Sequence, residues 1–200
     1  MSAAPETLEA VLADIIRRWT GAVKDRHSAL HTPVVSSVID GCPASRIMVL
    51  RAATADGTAF RFHTDARSPK AHAISNGAPV SLLGYDAQAR VQLIVRGKGR
   101  VETESAATDA AWQASALSSR RCYLAAHAPG TEVDDAISGL PDHLLARAPT
   151  ADESEAGRAN FAILQIEASE LEWLLLTSCG NKRAVFHYVN EKWQGQWITP

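Results

Sequence analysis

Cysteine is scarce and scattered in this chain. Cys42, Cys122 and Cys179 are odd in number and form no C-x-x-C pair, so neither a zinc ribbon nor a disulfide framework is signalled. None has a helix-start or paired context, which points to inert thiols rather than nucleophiles. A basic surplus is missing too. The formal net charge of -2 argues against broad nucleic-acid binding. No apolar run approaches the roughly 20 residues needed to span a bilayer, and none follows a basic segment at the start. The expectation is a chain without signal peptide or membrane span, in a reduced cytoplasmic setting. His63, His72, His127, His143 and His187 lack spacing such as H-E-x-x-H, so no metal is expected. Ser118, Ser119 and the scattered Asp residues signal no triad.

What is present suits one domain, 1–200. The hydrophobic fraction of 46% and charged fraction of 21% are ordinary for a globular protein. Within 5–26, Leu8, Val11, Leu12, Ile15, Ile16, Trp19 and Val23 mark one face of a packing helix inside an N-terminal segment, 1–30. Short strands then alternate with tight turns. Val34–Asp40 ends at Asp40-Gly41, Ser45–Thr54 ends at Asp56-Gly57, and Thr58–Thr64 follows. A short helix is predicted over Arg67–Asn76, with Gly77 as its C-cap and Pro79 barring continuation. Val80–Tyr85 and Ala89–Glu104 are further strands, and Gly97 and Gly99 in the second suggest a bulge or bend.

Residues 105–158 form an excursion. Helical pieces are predicted at Ser105–Gln113 and Ser118–His127, with one short helix near Pro141–Arg147. The C-terminal part, 159–200, returns to strands: Asn160–Ala168, Leu171–Thr177, Arg183–Asn190 and Lys192–Thr199. Antiparallel strands with a few helices imply a mainly β architecture, a closed or nearly closed barrel with peripheral helices.

The chemistry gathers between Ser45 and Gly97. Arg46, Arg51, Arg67 and Lys70 are cations on strand ends and around one turn. Thr64, Ser68 and the N–H groups of that turn add neutral donors. A lysine in the first turn of a helix favours an anion. This pattern predicts a cradle for a phosphate-bearing ligand.

These blocks also carry a resemblance. R-I-M-V-L-R, H-T-D-A-R-S-P-K-A, Q-L-I-V-R-G, L-E-W, K-R-A and W-I-T-P, in that order, resemble the pyridoxamine 5′-phosphate oxidase-like family of FMN-binding split barrels. The resemblance runs from about Val34 to Pro200. It implies an antiparallel split β-barrel whose FMN sits at a homodimer interface, with 159–200 completing barrel and dimer site. It implies that Arg46 opens the FMN-binding strand and that Met48, Val49 and Leu50 run alongside the flavin. Arg51 would lie near the ring and the substrate, and His63 and Thr64 would approach the FMN. Lys70 would bind the phosphate together with Ser68, and Arg67 would supply charge where Pro69 replaces the family's arginine. Gln92 would hydrogen-bond the flavin, and Trp173 and Arg183 would complete the site. FMN needs all of these: cations for its phosphate, an apolar wall for its ring, and donors near its polar edge.

One departure is pronounced. The oxidase proper has Arg-Leu-His, which binds pyridoxamine phosphate, where this chain has Cys179, Gly180 and Asn181. Arg120, beside Ser119, is left as a candidate substrate contact. The resemblance thus implies an FMN-dependent oxidoreductase of unknown substrate. A flavin-binding carrier or sensor, and a split barrel using heme or deazaflavin, stay open as alternatives.

Overall fold

Two-residue turns set much of the architecture before any long-range contact forms. Asp40 and Gly41 both take positive φ (51° and 77°), as do Asn190 and Glu191 (50° and 61°). Such turns match the twist of the strands they join. They close the hairpins β1–β2 (Val34–Ile39, Cys42–Ile47) and β8–β9 (Lys182–Val189, Lys192–Ile198). The remaining strands are β3 (Leu50–Ala53), β4 (Ala59–Asp65), β5 (Ala78–Asp86), β6 (Val91–Glu102) and β7 (Phe161–Leu175). The computed structural model describes residues 5–74 and 77–200.

All the strand pairs are antiparallel. The path runs β2-β1-β5-β6-β7-β4-β3, and β8 with β9 joins β7 beside β4. β7 makes this possible by its length. Along one edge it pairs with β6; along the other, Phe161–Glu167 pairs with β4 and Glu170–Leu175 with β8. The sheet is not closed by hydrogen bonds. Its end strands β2 and β3 are instead consecutive in the chain, separated only by Met48 and Val49. The barrel is therefore split, and the chain itself crosses the split.

Helix α1 (Leu8–Ala22) starts at Thr7, whose hydroxyl accepts from the Ala10 N–H, rather than at Pro5 or Glu6. Its buried face is Val11, Ile15, Trp19 and Ala22. These pack with Leu50, Phe60, Phe62, Leu82, Leu93, Leu171, Trp173 and Phe186 in the main core. Each fully buried side chain of this size stabilises by about 1.5–3 kcal/mol. Trp112, Phe161 and Ile163 form a second cluster with Tyr123 against it, under the excursion.

Several predicted elements are corrected. Ser45–Thr54 is two strands, because Met48 and Val49 leave the ladder. Asn160–Ala168 and Leu171–Thr177 are one strand, β7. Its register against β6 shifts between Arg96 and Gly97, so Ser169 is an extra residue in a bulge rather than a turn. Helix α2 is Pro69–Ile74; the predicted end at Asn76 lies outside the described residues. In the excursion, α3 (Ala106–Ala114) follows the Ser105 cap as predicted, and α4 (Leu117–Arg120) leads into a 3-10 turn, Arg121–Leu124. The helix near Pro141 is a 3-10 turn, Asp142–Leu144. A further helix, α5 (Ala151–Glu155), begins with a Thr150–Glu153 capping box. No helix among the described residues is long and apolar enough to cross a membrane.

Candidate functional site

The split between β2 and β3 is where unpaired positive charge collects. Arg46 lies next to the end of β2, and its register partner Val35 points into the core. The Arg46 Nη1 donates to the Val35 carbonyl (3.2 Å) and the Ser37 hydroxyl (2.9 Å). Lys70, in the first turn of α2, is close enough for Arg46 to push its pKa down. Burial pushes it down more, and Asp65 pulls the other way. Burial also lowers Arg46. Among the described residues, neither cation has a carboxylate at ion-pair distance. Two half-buried like charges held together are a cost to the fold. An anion between them removes that cost.

Around this pair the turn between β4 and α2 is internally bonded. Ser68 is buried and donates to the Asp65 carbonyl (2.7 Å). Thr64 is buried beside it. These hydroxyls shape the turn rather than face outward. With only six residues in α2, the anion reading rests on the two side chains.

Arg51, Arg61 and His63 lie on the other face of β3 and β4. Arg51 sits at a register irregularity between Leu50 and Ala52, exposed. His63 is edge-on to Phe161 (4.8 Å between centroids). Burial, then the charges of Arg51 and Arg61, push its pKa down to about 4, so it is neutral near pH 7. Tyr123, from the excursion, approaches the same place. Burial holds its phenol protonated, Arg51 opposes that, and Asp65 reinforces it. Asp65 thus acts on both Lys70 and Tyr123. Sequence reading missed Arg61, Asp65 and Tyr123. Only the D-x-R spacing of Asp65 and Arg67 carried a signal.

Gln92 and Arg183 lie elsewhere on the sheet. Cross-strand partners share a face, and the register row Tyr85–Gln92–Leu174–Arg183 runs across β5 to β8. The row Arg46–Val35–Leu82–Val95–Leu171 belongs to the opposite, core-facing side. Arg183 borders a cavity of about 300 Å³ shared with Glu6, Asn181, Lys182, Trp197, Ile198 and Pro200.

The remaining predicted residues do not join these groups. Leu50 and Met48 are core side chains, so of the three only Val49 is placed to offer an apolar side chain to a ligand. Trp173 is fully buried inside the barrel, its Nε1 donating to Asp14 of α1 (3.2 Å). It docks the helix and presents no surface to a flavin. Arg67 is committed: Nε and Nη2 grip Asp65 (3.0 and 2.8 Å), and Nη1 reaches the Ala125 carbonyl (3.1 Å). It ties the excursion to the turn. Arg120 is buried over the Trp112 ring, bonded to Ser154, Glu155 and Gln113.

The sequence profile described as pyridoxamine 5′-phosphate oxidase matches residues 20–172, more than half of the chain. No curated protein matches it. Among solved structures it is similar to a pyridoxamine 5′-phosphate oxidase-related, FMN binding protein from Nostoc punctiforme. The identity is 22%, the coverage 100% of both chains and the TM-score 0.69. It is also similar to PhzG from Burkholderia lata in complex with tetrahydrophenazine-1-carboxylic acid, at 17% identity, 94% and 91% coverage and TM-score 0.69. A general stress family protein from Xanthomonas campestris follows at 13% identity, 87% and 92% coverage and TM-score 0.53. At these identities the structural likeness is one of fold.

Proposed function

The chain belongs to the pyridoxamine 5′-phosphate oxidase family, and from that premise we propose that it holds FMN between two copies of itself and works as an FMN-dependent oxidoreductase. The observation that carries this reading is the Arg46–Lys70 pair. The fold brings two half-buried cations together, and among the described residues no carboxylate forms an ion pair with either. A phosphate dianion matches that donor set in charge and in hydrogen-bond acceptors.

The faces of the sheet support a shared site. Gln92 and Arg183 lie on the outer side of the sheet, and Arg46 belongs to a core-facing row. In the proposed dimer, one copy supplies Arg46 and Lys70 and the second copy supplies the Gln92 and Arg183 face. The outer face also carries exposed Ile47, Leu83 and Tyr85, an apolar surface suited to burial against a partner.

In this arrangement Arg46 and Lys70 hold the phosphate and Val49 borders the ring. Arg51 and the partner copy's equivalents of Gln92 and Arg183 meet the polar edge. Hydride transfer is the chemistry that FMN supplies when bound. His63 stays neutral beside Arg51 and adds no charge to compete with that edge.

A second reading, a flavin carrier or sensor, is favoured by the loop at 179–181. It is bonded to itself: Asn181 Oδ1 accepts from the Thr177 N–H (3.1 Å) and Thr177 Oγ1 donates to the Gly180 carbonyl (2.6 Å). It presents no arginine or histidine to a phosphorylated substrate.

Titration with FMN and with riboflavin, which lacks the phosphate, tests the reading. Wild-type protein is expected to prefer FMN by at least about a hundredfold, and Arg46→Ala with Lys70→Ala to erase the preference. Equal affinity for both flavins in wild-type protein refutes the phosphate cradle. Bleaching of bound FMN by NADH, NADPH or pyridoxamine phosphate separates the oxidoreductase from the carrier.

A further inference from the structure

Glu172 is a carboxylate on the outer sheet face, yet it is 3% exposed. Its cross-strand partners, Ile94 and Val185, are apolar. A carboxylate is stable in such a place only when its oxygens are paired. Both are. Oε1 accepts from Arg183 Nε (3.0 Å) and lies 3.0 Å from Arg183 Nη2, and Oε2 accepts from Arg96 Nη1 (3.1 Å). Arg96 also pairs with Glu170. Among the described residues no partner is bonded to Arg183 Nη1, and the side chain is 31% exposed at the edge of the cavity bordered by Lys182 and Trp197.

We propose that Glu172 is a positioning residue, which locks the guanidinium of Arg183 through its Nε–Nη2 edge and so aims the remaining edge at the flavin. The proposal rests on the reading that Arg183 meets FMN. A free arginine side chain samples many rotamers and loses that freedom on binding. The fork on Glu172 removes the freedom in advance, so the bound ligand meets a preset donor. Arg96 holds the far oxygen and keeps the carboxylate from turning.

The role predicts coupling. Glu172 acts only through Arg183, so its removal costs nothing once Arg183 is gone. FMN dissociation constants of wild type, Glu172→Gln, Arg183→Ala and the double variant test this. Glu172→Gln keeps the volume and one acceptor oxygen. It is expected to weaken FMN about tenfold, with the double variant no weaker than Arg183→Ala alone. Losses that multiply, or a Glu172→Gln variant that binds like wild type, overturn the proposal. Wild-type protein that takes up no FMN removes the flavin reading itself, a different result. Hydrogen exchange at the Arg183 Nε in flavin-free wild type needs no variant. Slow exchange is expected of a locked guanidinium, and exchange as fast as that of a solvated arginine overturns the lock.

Discussion

Burial without an ion-pair partner among the described residues sets Lys70 and Arg46 apart from Arg67. Arg67, two residues from Asp65, is neutralised by it, while Lys70 and Arg46 repel each other. Sequence singled out all three alike, since each is a cation near one turn. It did not separate them, because the choice depends on which carboxylate folds within 3 Å of which guanidinium. Trp173 shows the same limit: its L-E-W block resembles the family's, but strand alternation turns its ring inward, its Nε1 donating to Asp14. Tyr123 and Glu172 carried no signal at all, being ordinary residues whose meaning lies in what covers them. His63 gives the residue-scale prediction. Its pKa is about 4 folded against an ordinary 6.5, so between these values the unfolded chain takes up a proton that the folded chain refuses. The contribution to stability is complete above pH 6.5 and is lost as pH falls toward 4. After allowance for solvent screening the loss is about 1–2 kcal/mol. Thermal midpoints across this range are expected to fall less in His63→Phe than in wild type. Parallel curves contradict the assignment.

At the scale of elements, the molecule turns on β7 and its bulge. Alternation and turn residues made most strands legible, along with α1, whose apolar face is plain at helical spacing. The continuity of β7 was not legible. Ala168, Ser169 and Glu170 look like a connection, but Gly97 opposite them lets the strands approach across the irregularity. A Cβ on Gly97 would stand 2.0 Å from the Glu167 carbonyl oxygen. Gly97→Ala is therefore expected to cost about 2–4 kcal/mol in denaturant unfolding. At Gly41, by contrast, nothing lies within 4 Å and only the positive φ is strained. Gly41→Ala is expected to cost about 1 kcal/mol. Equal costs would show that β6 and β7 are not in close contact at the bulge. α5 was missed because its five residues are too short for periodicity, although its T-x-x-E cap was there to be read.

At the scale of the whole molecule, a split rather than closed barrel makes a shared site possible. The chain crosses from β2 to β3 through Met48 and Val49. That leaves Arg46 and Arg51 on either side of a gap, with the Gln92–Arg183 row on the opposite face. The sequence carried the family and the barrel; it did not carry the proposed division of the site between two faces, which rests on strand register. The division has a direct consequence in mixed dimers. In the proposed dimer, Lys70→Ala and Arg183→Ala each spoil both sites, whereas a dimer of one chain of each kind keeps one intact site. The measurement is the visible absorbance of the FMN-loaded, desalted proteins: wild type, each variant, and the two variants co-expressed. The account predicts flavin bands in wild type, their loss in each variant alone, and their partial return in the co-expressed pair. A colourless wild type, or a co-expressed pair as colourless as its parts beside a yellow wild type, would contradict it.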